Sequence, residues 1–157
     1  MSRYFFISLF FFNSFLFADN TNKWAYQHTF ELKKDELAKV HFWLSDNNDD
    51  DNAGKNRETY YFRWTLYDGK NIVVHSNYRK FPKQHIMSKN RALSTVNQVL
   101  ISDGKNKIDS RVVLSLIFSD YNHSKKSASF DILIKDDKKR VLAEFDDPKR
   151  RRELSAK

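Results

Sequence analysis

The chain has 157 residues, with 28 Lys and Arg against 20 Asp and Glu, a formal net charge of +8 and no cysteine. Without cysteine there are no disulfides, thiolate metal ligands, cysteine nucleophiles or lipidated N-terminal cysteine, so a chain of this length is expected to be one domain held by burial alone. A basic balance draws a protein towards anionic neighbours such as lipid head groups or acidic polysaccharide, and it bears on association rather than on fold.

Half of the 14 phenylalanines precede residue 18. Arg3, an apolar run from Tyr4 to Phe17, then Ala18 and the polar pair Asp19 and Asn20 follow the order of a secretory signal peptide. Ser8, Asn13 and Ser14 interrupt the run, which also falls short of the ~20 apolar residues of a membrane-spanning helix. Cleavage is expected after Ala18, which removes Arg3 and leaves the basic balance in place. The predicted location is the periplasm or the surface of a bacterium, where an exported chain without disulfides fits.

From Trp24 the pattern changes. Trp24, Tyr26, His28, Phe30 and Leu32 alternate with Ala25, Gln27, Thr29, Glu31 and Lys33, the period of two that marks a strand with one buried face. After Lys33-Lys34-Asp35-Glu36, Ala38, Val40, Phe42 and Leu44 fall on one side and Lys39, His41 and Trp43 on the other. If the two strands form a hairpin, an odd-numbered loop puts both apolar sets on one face. A two-residue turn would instead set His28 opposite His41, and that register is rejected. His28 belongs to the apolar set and reads as a core histidine.

Tyr60, Phe62, Trp64 and Leu66 carry the pattern to a turn at Asp68-Gly69-Lys70-Asn71, followed by Ile72-Val73-Val74-His75. Residues 78–98 are predicted to hold a short edge strand near Phe81, kept from a central position by Pro82, and another strand from Leu93. Three further strands follow: Val112, Leu114, Leu116 and Phe118; Ala128, Phe130, Ile132 and Ile134; Val141, Ala143 and Phe145.

Gly54, Gly69 and Gly104 each precede Lys-Asn. A phosphate-binding loop needs Ser or Thr after the Lys and a second Gly before it, so these glycines read as turn chemistry. Short strands with turn signals about ten residues apart predict an all-β fold, an antiparallel β-sandwich of jelly-roll or Ig-like type with roughly seven to nine strands. The domain plan is a signal peptide over residues 1–18, the sandwich over 19–146 and a basic tail over 147–157. The tail begins at strand-breaking Pro148 and reads as a frayed or weakly helical end.

The stretch "FELKKDELAKVHFWLS" followed by "FRWTLYDGKNIVV" resembles the opening strands of bacterial pre-peptidase C-terminal type jelly-roll domains, where a strand-turn-strand pair precedes an Asp-Gly-Lys hairpin. The resemblance covers residues 28–74 and implies a non-catalytic exported sandwich that assists secretion or binding. The chain departs from that pattern late, because "RVVLSLIFSDYNHSKKSASFDILI" lacks the glycines of a Gly-Tyr-rich closing strand.

Three sets of residues are candidates for chemistry. If Phe42, Phe62 and Trp64 point inward, then His41, Trp43, Tyr61, Arg63 and Tyr67 point outward, and aromatics beside a guanidinium suit a sugar-binding platform or a protein contact. The segment "SDNNDDDNAGKN" offers Asp46, Asp49 and Asp51 as oxygen ligands for calcium, but Ala53 and Tyr60 stand where further ligands are required. It therefore reads as a solvated connection that would hold calcium only loosely, and no other cofactor is indicated. Lys149, Arg150, Arg151 and Arg152 would favour an anionic surface, giving weak contact with an anionic membrane. With no aromatic interleaved among them, nucleic acid is not an expected partner.

No catalytic residues are indicated, since there is no "GxSxG" elbow and no "HExxH". The leading expectation is an exported, non-catalytic binding module that recognises an envelope polysaccharide or protein partner. The alternatives are a small periplasmic hydrolase and a structural accessory subunit of an envelope assembly.

Overall fold

The computed structural model describes residues 24–44, 57–90, 92–101 and 111–155. The expected leader over residues 1–18, the candidate calcium ligands Asp46, Asp49 and Asp51, and Gly54 and Gly104 lie outside the described residues.

The strands are β1 (Tyr26–Lys33), β2 (Ala38–Leu44), β3 (Arg57–Tyr67), β4 (Asn71–Tyr78), β5 (Phe81–Ser88), β6 (Thr95–Ile101), β7 (Val112–Asn122), β8 (Ser127–Lys135) and β9 (Val141–Asp146), followed by one short helix, α1 (Pro148–Ser155). They form two antiparallel sheets, a smaller one ordered β1-β8-β7-β6 and a larger one ordered β5-β4-β3-β2-β9. Their inward rows meet in a single core, so the protein is an antiparallel β-sandwich.

Alternation fixes the inward rows. Phe30 and Leu32 of β1, Leu114, Leu116 and Phe118 of β7, and Phe130, Ile132 and Ile134 of β8 are buried against Val40 and Phe42 of β2 and Tyr60, Phe62 and Trp64 of β3. Rings interlock across the gap: Phe62 meets Phe30 edge-to-face at 5.4 Å and Phe130 at 5.6 Å between centroids. Each such pair contributes roughly 0.5–1.5 kcal/mol beyond the area it buries. The Trp64 indole satisfies its buried N–H by donating to the Leu32 carbonyl at 3.0 Å, tying the sheets together.

Strand pairing differs from a simple hairpin reading at one place. β1 pairs with β8, whereas β2 lies between β3 and β9, so the chain crosses from one sheet to the other between β1 and β2. His28 and His41 are therefore in different sheets. His28 is half-buried, stacks on Phe145 at 4.7 Å, and places its Nε2 3.2 Å from Asp147 Oδ2.

A second difference follows from a bulge. The β3–β4 register shifts between Trp64 and Leu66, which reverses the parity of the residues after it. Leu66, expected inside, is exposed. Tyr67, expected outside, turns inward and stacks on Tyr121 at 4.0 Å. The turn that follows uses Gly69 at a φ of 94°, with the Asp68 carboxylate accepting from the Lys70 and Asn71 N–H groups at 2.9 and 2.6 Å.

Pro82 lies in β5, an edge strand of the larger sheet, and β6 is an edge strand of the smaller one. At the other lateral side α1 docks against the end of β1 and the β1–β2 turn. Lys149 pairs with Glu31 at 3.0 Å, Arg151 with Asp146 at 3.2 Å, and Arg152 with Glu36. The basic tail thus docks as a helix on β1 and its turn.

Candidate functional site

The outer face of the larger sheet gathers most of the aromatic and basic candidates, and the register gives their layout. Trp43 lies between Arg57 and Leu142, His41 between Thr59 and Glu144, Tyr61 between Lys39 and Asn77, and Arg63 beside His75. His41, Trp43, Tyr61 and Arg63 therefore share one face. Tyr67 does not join them, because the bulge after Trp64 turns it into the core.

Trp43 is half-buried, with the Arg57 guanidinium 5.2 Å from its ring centroid. Cation–π contact contributes about 0.5–1 kcal/mol at such exposure and holds the guanidinium over the ring. His41 puts its Nδ1 2.9 Å from the Thr59 hydroxyl. Burial, and then the nearby Arg57 charge, hold its pKa below the usual histidine value, so the ring is neutral near pH 7. Tyr61 is 37% exposed and Arg63 is exposed.

Along this face, towards the β4–β5 turn, lies a basin of about 550 Å³. Arg57, Thr59, Tyr61 and Asn77 line its sheet side, and Glu58, Arg79, Lys80 and Pro82 its far side. The Arg79 guanidinium grips Glu58 with its Nε and Nη2 at 2.9 and 2.7 Å, and the Tyr78 hydroxyl also donates to that carboxylate. Burial pushes the Glu58 pKa up, but the Arg79 and Tyr78 hydrogen bonds outweigh it and hold the pKa below the usual range. Glu58 is therefore ionised with its charge absorbed by Arg79. Among the described residues, Arg57 and Lys80 form no salt bridge, so the basin is left with an excess of positive charge.

The turn that presents Arg79 and Lys80 is unusual. Both have positive φ, 52° and 67°, where a Cβ is strained by about 1–2 kcal/mol per residue. The Glu58 clamp and the packing of Arg79 over the Tyr78 ring at 5.1 Å hold that geometry.

Other candidates fall elsewhere. Ser76 Oγ lies 2.9 Å from His85 Nε2, the spacing of a nucleophile and its base. Ser76, however, is 6% exposed and sits in the inward row with Val74 and Tyr78, so the contact satisfies two polar groups at the core edge. Of the basic tail, Lys149, Arg151 and Arg152 are engaged with Glu31, Asp146 and Glu36, while Arg150 is exposed.

The sequence pattern pointed to Trp43, His41, Tyr61 and Arg63 through alternation, but it did not pick out Arg57, Asn77, Arg79 or Lys80. No local signal marked the last two, because the segment after Lys80, Phe81 to Ser88, does not alternate. Compared with protein-family models, curated proteins and solved structures, the chain matches none.

Proposed function

We propose that this protein is an exported, non-catalytic binding module of the bacterial envelope that holds an acidic polysaccharide along the outer face of its larger sheet. The observation that carries this reading is the Trp43–Arg57 stack adjoining a basin in which, among the described residues, Arg57 and Lys80 form no salt bridge. An aromatic face takes the apolar side of a sugar ring, and a guanidinium fixed by that ring forks onto a uronate carboxylate. Tyr61 and Asn77 supply hydroxyl and amide groups for sugar hydroxyls. The signal-like leader and the jelly-roll resemblance both support export, and a rigid β-sandwich supports a face that is built before the ligand arrives.

Affinity electrophoresis tests the proposal, with polygalacturonate or neutral dextran in the gel. Retardation is expected in polygalacturonate and not in dextran, and it should fall at least about fivefold in Trp43→Ala and Arg57→Ala. Lys135→Ala, a single-cation loss on β8 of the other sheet, should retain it. Retardation that Trp43→Ala leaves unchanged would mean general charge attraction and would overturn the proposal.

A further inference from the structure

β5 pairs with β4 on one side and with no strand among the described residues on the other. Pro82 tells which of its backbone groups face the open side. In an antiparallel ladder, opposed residues alternate between pairs that exchange both hydrogen bonds and pairs that exchange none. Pro82 has no N–H, so its pair with Asn77 is of the second kind. Gln84, Ile86 and Ser88 share its parity and turn their N–H and C=O groups away from β4. Ser88 agrees with this assignment, since its N–H donates on the far side to the Leu93 carbonyl at 3.1 Å. What remains is a short row of edge groups: the Pro82 carbonyl and both groups of Gln84 and of Ile86.

The surroundings of that row have a definite chemistry. Neither β5 ("FPKQHIMS") nor its counterpart across the open side, β6 ("TVNQVLI"), contains an acidic residue. Arg79 is committed to Glu58 and Lys89 to Asp120, whereas among the described residues Lys83 reaches only the Gln98 amide oxygen, at 3.2 Å. Phe81 is 71% and Ile86 68% exposed. A hollow of about 260 Å³ lies between the two strands, with Phe81, Lys83, Gln98 and Val99 among its walls. At the opposite lateral side, by contrast, α1 docks on the end of β1 and the β1–β2 turn.

We infer that the β5 edge receives one short, acidic, extended segment of a partner protein as an added strand, pairing with Gln84 and Ile86 and placing an apolar side chain in the hollow beside Phe81. Lys83 supplies the charge complement. A second copy of this chain is a poor occupant, because it would bring another acid-free cationic strand against the first. Pro82 ends the pairing row and so limits the length that can add. The site adjoins the sugar-binding basin at Pro82 but uses the edge groups of Gln84 and Ile86, which do not line that basin, and it does not depend on sugar binding.

Panning a phage-displayed random octapeptide library on the folded protein supplies the probe, and amide hydrogen exchange with the selected synthetic peptide locates it. In the free protein the Gln84 and Ile86 amides should exchange quickly. Enriched peptides should alternate Asp or Glu with apolar residues and slow those two amides. Ile86→Pro removes an outward N–H without touching a β4 hydrogen bond, and should weaken binding by at least about tenfold while keeping the circular dichroism spectrum. If that variant misfolds, Lys83→Glu is the second arm and should shift selection to basic peptides. The inference is overturned by slow exchange of both amides in the free protein, by no enrichment, by protection mapped elsewhere, by binding indifferent to both variants, or by concentration-dependent dimers that protect the same amides.

Discussion

Tyr60 and Tyr78 are cross-strand partners in the core, yet removing their hydroxyls should change stability in opposite directions. Among the described residues, the Tyr60 hydroxyl is buried without a hydrogen-bond partner of good geometry. An unsatisfied buried hydroxyl costs about 1–3 kcal/mol, so Tyr60→Phe should gain about 1 kcal/mol and raise Tm by about 4 °C. The Tyr78 hydroxyl donates to the ionised Glu58, with the Leu100 carbonyl a further 3.2 Å neighbour. Tyr78→Phe should therefore cost about 1.5–3 kcal/mol.

Alkaline pH sharpens the contrast. Burial pushes the Tyr60 pKa from 10.0 up to about 12. Between these values the unfolded chain has released the phenolic proton and the folded chain has kept it, so stability is full below pH 10.0 and falls as pH rises through about 12. The loss approaches roughly 3 kcal/mol, and Tyr60→Phe should be spared it. Urea unfolding followed by tryptophan fluorescence at pH 7 and across the alkaline range measures both effects. If Tyr60→Phe is destabilised by about 1 kcal/mol or more at pH 7, its hydroxyl has a partner and the reasoning fails.

Glu31 is held at a pKa of about 2, first by the Lys149 hydrogen bond, then by Ser127 and Lys125. Its stabilising effect should be present above pH 4.5 and disappear as pH falls through about 2, and Glu31→Gln should erase that dependence and speed amide exchange in α1. Because its lysine partners are exposed, the effect should also shrink in high salt, as scanning calorimetry at two ionic strengths would register. Lys80→Asn should raise Tm, because Asn tolerates positive φ, whereas Lys80→Val should lower it by about 1 kcal/mol or more. Gly69→Ala meets open space but keeps a φ of 94°, so it should cost about 1–2 kcal/mol from backbone strain alone. Equal Tm values for Gly69→Ala and the parent would contradict that account.

Period-two alternation carried most of the fold, since Phe30, Leu32, Phe62, Leu114, Phe130 and Ile132 all lie where it puts them, inside. It could not reveal pairing order. Alternation states which face a residue takes within its strand, and nothing local distinguishes β1 beside β8 from β1 beside β2. The bulge at Thr65 was equally silent, because one extra residue leaves the composition of β3 unchanged while reversing Leu66 and Tyr67. Arg79 and Lys80 escaped notice for a different reason. A turn at positive φ without Gly or Asn is held by Glu58, a partner on another strand that becomes a neighbour only once β3 and β4 have paired. Half of the candidate face was thus readable as outward aromatics, and the charged half depended on long-range register.

The central claim is that sugar binds at Trp43, and the chain's three tryptophans allow a direct check. In a two-dimensional proton–nitrogen spectrum titrated with oligogalacturonate, the Trp43 indole N–H signal should move in step with the Arg57 and Tyr61 amides. The Trp64 indole, donating to the Leu32 carbonyl inside the core, should stay fixed. Saturable shifts confined to α1 and its neighbours, with Trp43 unmoved, would contradict the account.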